Sequence, residues 1–198
     1  MKLPPGRWHR RGGFLLGGTC DKVLIVLNIY DVSRMKATIY PINAAAPNRI
    51  AIVARPRGGD WLRDEVNALS REGIEVLVSM LTEEESKELG LETESEDCEA
   101  VAIRFVSLPI PDRSVPSDTH DFLRSVERLA EMVRDGRSLA VHCRASIGCS
   151  SVLAVSVLVR LGWDANEAFH AVESARGCSI PDTPEQRQWV IRNIPATQ

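Results

Sequence analysis

Residues 141–151 read Val141-His142-Cys143-Arg144-Ala145-Ser146-Ile147-Gly148-Cys149-Ser150-Ser151. Before them, 138–142 is a short apolar run of strand type, Ser-Leu-Ala-Val-His. After them, Ser150 to Leu161 is strongly apolar and reads as a buried helix. Between the two lie small residues, Cys143 to Gly148, that read as a tight loop. A strand turning so sharply into a buried helix brings the loop N–H groups and the helix N-terminus to one point. That point is an anion site by construction. The same field favours a thiolate over a thiol, and a thiolate facing a bound phosphate is a nucleophile for phosphoryl transfer. A lone buried cysteine is more often inert, so the loop needs support from the rest of the chain.

The surrounding pattern alternates strands and helices. Ile50–Ala54 is a β-like run, Pro56–Gly59 a turn and Asp60 a candidate N-cap. Leu62, Val66 and Leu69 then recur at helical spacing until Gly73. Ile74–Leu81 and Ile103–Leu108 read as buried strands. Thr82 with Glu85 has the spacing of a capping box. Pro109–Arg113 is a rigid loop, and Ser117 or Asp118 caps a helix carrying Phe122, Val126, Leu129 and Val133 on one face. Asp164 caps a helix through Ser174, and a last helix follows Pro184 to about Ile194. The acidic stretch Glu92–Glu99 reads as a solvated surface. The order predicts an α/β fold, a short parallel sheet flanked by helices on both faces.

Composition narrows the function classes. The chain has 198 residues, 44% hydrophobic and 26% charged, with net charge −3. That is a globular composition, and its acidity argues against a nucleic-acid partner. No apolar run reaches the roughly 18 residues of a membrane span. Five cysteines with no Cys-x-x-Cys pair argue against a disulfide framework or a cysteine-rich metal site and for a reducing, cytoplasmic setting. The charge is uneven. Residues 1–34 hold six basic and two acidic side chains, net +4, which leaves −7 for the rest. Residues 1–34 are therefore expected to be a dispensable extension, with the folded domain at 35–198. Val23–Ile29 is the alternative, an extra strand or a partner-binding arm. A monomer is favoured.

Residues 141–151 resemble the signature loop of the cysteine-dependent protein tyrosine and dual-specificity phosphatases. That loop reads His-Cys, five residues, Arg, then Ser or Thr; His142, Cys143, Gly148 and Ser150 match it. Asp112, 31 residues before Cys143 in a Pro-x-Pro-Asp-Arg loop, stands where compact members carry their general acid. Arg55–Leu62, Leu77–Thr82 and Arg176–Thr183 resemble a bacterial branch of these enzymes. The similarity runs from about Ile39 to Ile194. The resemblance implies a phosphotyrosine-phosphatase-like fold and hydrolysis of a phosphate monoester, on a phosphorylated protein or another phosphate monoester, without metal or cofactor. It assigns attack to Cys143, proton transfer to Asp112 and a hydrogen bond to the leaving thiolate to Ser150. Arg144, Ala145, Ser146, Ile147, Gly148 and Cys149 would cradle the phosphate, with His142 fixing the loop from behind; Gln186 would orient water, a surface position being its alternative.

One residue departs from the pattern. The family's arginine falls six residues after the cysteine, and Cys149 stands there. An arginine grips two phosphate oxygens with its planar fork; a thiol cannot. Losing one preorganised donor to a transition-state oxyanion costs about 2.7–4 kcal/mol, or roughly 10²–10³ in rate. Two functions stay open: a weakened phosphatase, or a pseudophosphatase that binds phosphorylated partners without turnover. Cys143 and Cys149 also raise the possibility of a disulfide, Cys143 oxidised first and Cys149 resolving it; a packed thiol at the helix start is the alternative.

Overall fold

The computed structural model describes residues 36–42 and 49–194. The expectations for residues 1–34, the strand at Val23–Ile29 among them, lie outside the described residues. Five strands form one sheet: β1 (Ile39–Pro41), β2 (Ile50–Val53), β3 (Val76–Ser79), β4 (Arg104–Ser107) and β5 (Leu139–His142), in the order β1-β2-β5-β3-β4. The helices are α1 (Leu62–Arg71), α2 (Glu83–Glu88), α3 (Glu94–Ala100), α4 (Thr119–Arg134), α5 (Cys149–Arg160), α6 (Ala165–Arg176) and α7 (Pro184–Asn193).

The four strands expected from the sequence are parallel, and β5 lies between β2 and β3. The sequence reading missed β1, which pairs antiparallel with β2 at the sheet edge. It is three residues long and ends in Pro41. An edge tolerates a proline because the missing N–H has no ladder to fill.

Side-chain alternation along the strands divides the core into two layers. Ile50, Ile52, Val76, Val78, Leu139 and Val141 face α4, α5, α6 and α7, joining Val126, Leu153, Phe169 and Val190. Val53, Leu77 and Ala140 face the other way, onto Leu62, Val66 and Leu69 of α1 and Cys98 of α3. Helix α5 is buried from Cys149 to Val159, as its strongly apolar sequence requires; Ser150, Ser151 and Ser156 are buried with it.

Local rules explain most helix starts. Thr82 and Glu85 form the capping box of α2, and Thr183 with Gln186 forms a second one at α7. Asp118 and Asp164 accept N–H bonds at the starts of α4 and α6, and α6 runs two residues past the expected Ser174. Asp60 does not cap α1. Gly59, at φ +61°, leads into a 3-10 turn over Gly59–Trp61 that runs directly into the helix. The acidic stretch also differs from its reading. It folds as α3 with Glu94, Asp97 and Cys98 buried, because Asp97 has partners in Thr93 and Arg63 and Glu94 has one in His142.

Candidate active site

β5 ends at His142, and the chain turns through 143–148 into α5. Cys143 is buried at the base of this loop, its Sγ 3.5 Å from Oγ of Ser150 on the first turn of α5. Gly148 precedes α5, and its carbonyl accepts N–H bonds from Ser151 and Val152. A Cβ on Gly148 would meet Cβ of Asp182 and both polar atoms of the Gln186 amide at 3.1 Å. A larger residue would need Asp182 and Gln186 to give way by a few tenths of an ångström. Ser146 takes a left-handed φ of +56°, and its Oγ is buried without a hydrogen-bond partner.

Arginines hold the outside of the loop. Nε of Arg176 donates to the Ser146 carbonyl at 2.8 Å, while its guanidinium stacks 3.8 Å above the Tyr40 ring. Nε of Arg55 donates to the Arg144 carbonyl at 3.4 Å. In a trans peptide the following N–H points opposite to its carbonyl. The Ala145 and Ile147 N–H groups are therefore turned away from Arg55 and Arg176. Arg144 grips Glu88 with both arms of its fork, at 2.7 and 2.9 Å. The hydrogen bonds and charge of Arg144 hold the Glu88 carboxyl below the usual carboxylate range.

The loop carrying Asp112 docks onto this end of the sheet. Ile110 N–H donates to the Met80 carbonyl at 3.0 Å. Oε1 of Glu85 accepts the Asp112 N–H at 3.2 Å, while its other oxygen closes the α2 capping box. Nε2 of Gln186 donates to the Ser114 carbonyl at 2.8 Å. Sγ of Cys149 lies 3.7 Å from the carbonyls of Ile110 and Pro111 and 3.7 Å from Gln186 Nε2. Burial first, then the nearby Cys143 and Asp112, push the Cys149 thiol up to about 12. It is a neutral thiol at physiological pH, wedged between the two loops.

The sequence-predicted residues thus meet in one place: Cys143, Ser150 and the 144–149 loop, with the Asp112 loop packed on Cys149. Sequence reasoning missed the roles of two residues here, Glu85 and Glu94, and left Gln186 between orienting water and lying at the surface. Gln186 is 0% exposed and ties both loops to α7. Glu85 was read as a cap, and its second oxygen anchors the Asp112 loop. Glu94 was assigned to solvent, yet it is 2% exposed and its Oε1 lies 3.0 Å from Nε2 of His142, itself 0% exposed. That is ion-pair distance, and its alignment falls short of a hydrogen bond. No motif spacing connects residues 94 and 142; only the fold does. Among the described residues no three His, Cys, Asp or Glu side chains gather to hold a metal ion. Among them, too, no helix is long and apolar enough to cross a membrane.

Comparisons with known proteins bear on the fold and the family. A family model described as "Polymorphic toxin system, DSP-PTPase phosphatase" matches residues 51–163. Dual specificity protein phosphatase 22 of Mus musculus is 28% identical over 89 residues, 43% of this chain and 47% of that protein. The match thus spans about half the length of that relative. Among solved structures, a kinase-associated phosphatase with serine in place of its catalytic cysteine superposes with a TM-score of 0.69 at 16% identity, over 79% of this chain and 93% of the other. The active form of Tk-PTP gives 0.64 at 22% identity, over 79% and 95%. At those identities the two structures speak for the fold.

Proposed function

The chain belongs to the DSP-PTPase phosphatase family of polymorphic toxin systems, and from that premise we propose that its 142–150 loop hydrolyses phosphate monoesters through a phosphocysteine, at a rate held down by Cys149. The natural substrate class is a phosphorylated protein or another phosphate monoester. The observation that supports this reading is Sγ of Cys143 beside Oγ of Ser150, at the N-terminus of a helix buried from Cys149 to Val159.

The steps follow from the groups present. The Cys143 thiolate attacks phosphorus while Asp112 gives its proton to the departing oxygen. The S–P bond forms as the P–O bond breaks. Water then attacks phosphorus, Asp112 takes its proton, and Cys143 leaves as a thiolate steadied by the Ser150 hydroxyl. Loop N–H groups receive the charge on the equatorial oxygens. No metal or organic cofactor is required. The missing part is a cation on those oxygens. Arg144 is engaged by Glu88, and Arg55 and Arg176 donate to loop carbonyls, so none of these three stands in for the fork. The same feature supports the second reading, a pseudophosphatase that binds a phosphorylated partner without turnover.

Hydrolysis of an aryl phosphate such as p-nitrophenyl phosphate separates the readings. The wild-type chain should act feebly, Cys143→Ser not at all, and Cys149→Arg at least about 10² faster than wild type. Activity that survives Cys143→Ser removes the mechanism. No gain in Cys149→Arg favours the pseudophosphatase.

A further inference from the structure

Cys143 and His142 are neighbours in sequence but face opposite layers of the sheet. Leu139, Val141 and Cys143 belong to the core under α4 and α5. Ala140 lies in the core under α1 and α3, and alternation sends the His142 imidazole the same way. There its Nε2 meets Oε1 of Glu94 at 3.0 Å, with both side chains excluded from water. A buried carboxylate without a partner is costly, and so is a buried charged imidazole. The two are tolerable together.

We propose that Glu94 is a positioning residue for the nucleophile: by holding the His142 ring in the α1–α3 layer, it fixes the last residue of β5 and hence the start of the loop that carries Cys143. Three observations support it. Glu94 is the first residue of α3, where the helix N-terminus favours a carboxylate. Asp97, one turn on, accepts hydrogen bonds from Thr93 Oγ1 and from Arg63 of α1, so α3 is itself anchored. The His142 carbonyl accepts the Met80 N–H at 3.0 Å, so backbone and ring are gripped from two sides. Glu94 reaches Cys143 only through His142. The proposal rests on reading Cys143 as the nucleophile, and its test needs no turnover.

The experiment compares wild type, Glu94→Gln, His142→Asn and the double variant, each full length. Two quantities are read: the alkylation rate of Cys143 by iodoacetamide at neutral pH, from peptide mass mapping, and the NMR signals of the His142 ring nitrogens and the 144–149 amides. Glu94→Gln should shift the ring signals, move the loop amides and slow alkylation of Cys143 at least about threefold, because the loop that presents its sulfur to solvent and reagent loses its set geometry. Adding Glu94→Gln to His142→Asn should change nothing further, since the two act as one unit. A merely packed Glu94 would lower the melting temperature and leave the ring signals, the loop amides and alkylation alone; that result overturns the proposal. So does unchanged or faster alkylation in Glu94→Gln, or a double variant slower than His142→Asn. Should Glu94→Gln fail to fold, Glu94→Asp, which keeps the charge and withdraws it by one methylene, takes its place with the same expected signs. An inactive wild-type enzyme would count against the hydrolytic reading and leave these measurements intact.

Discussion

Cys149 changes more than a charge. Where the family resemblance implies an arginine reaching toward the phosphate, the thiol turns to the Ile110 and Pro111 carbonyls and clamps the two loops together. This bears on the expected redox pair. A resolving thiol attacks as the thiolate, and the Cys149 thiol is pushed up to about 12. Mild peroxide at neutral pH should therefore oxidise Cys143 without forming a 143–149 link; the link should emerge only as the pH climbs toward 12. Mass mapping of peroxide-treated protein checks this, and a linked peptide at pH 7 would restore the switch. Gly148 is a second single-residue test. Gly148→Ala forces a methyl to within 3.1 Å of Asp182 and Gln186. It should cost about 1–3 kcal/mol of stability, read by urea unfolding.

At the scale of elements, short-range chemistry was legible and long-range pairing was not. The Thr82–Glu85 box, the Asp164 cap and the strand-loop-helix at 139–160 rest on residues within a few positions of one another. α3 was not legible, because seven residues rich in acid look solvated until Arg63, Thr93 and His142 are brought to them. The burial of Gln186 was not legible either, since the carbonyl it serves, that of Ser114, lies 72 residues away. Glu85 shows both scales in one side chain: one oxygen closes a local cap, the other anchors a distant loop. Glu85→Ala should remove the reciprocal half of the α2 capping box and free the Asp112 amide. Hydrogen exchange at residues 110–114 should then speed up while β5 stays protected. Unchanged exchange there would mean that Gln186 and Cys149 hold the loop alone.

For the molecule as a whole, two buried thiols set an alkaline limit. Burial, then Glu94 and Asp97, push the Cys98 thiol up to about 12, and Cys149 reaches the same value. Both folded values lie above the ordinary thiol value of 9.0. The unfolded chain thus releases these protons first, so the stability they lend is complete below pH 9 and drains away between about pH 9 and 12. The thermal midpoint should fall across that window, and Cys98→Ala should flatten the fall. An equal slope in the variant would assign the loss to other groups.

The strand order has a consequence for how the chain is made. β5 sits between β2 and β3, yet it is the last strand in sequence. As the chain leaves the ribosome, β3 can pair with β4 and β1 with β2, but the two pairs face each other across a gap until residues 139–142 arrive. During that interval both pairs present bare edges, the kind that recruit neighbouring chains. The nucleophile, one residue past β5, is therefore among the last parts to be organised. A nascent chain stalled before Leu139 should be sticky and inert, and release of the central strand should cure both faults in a single step.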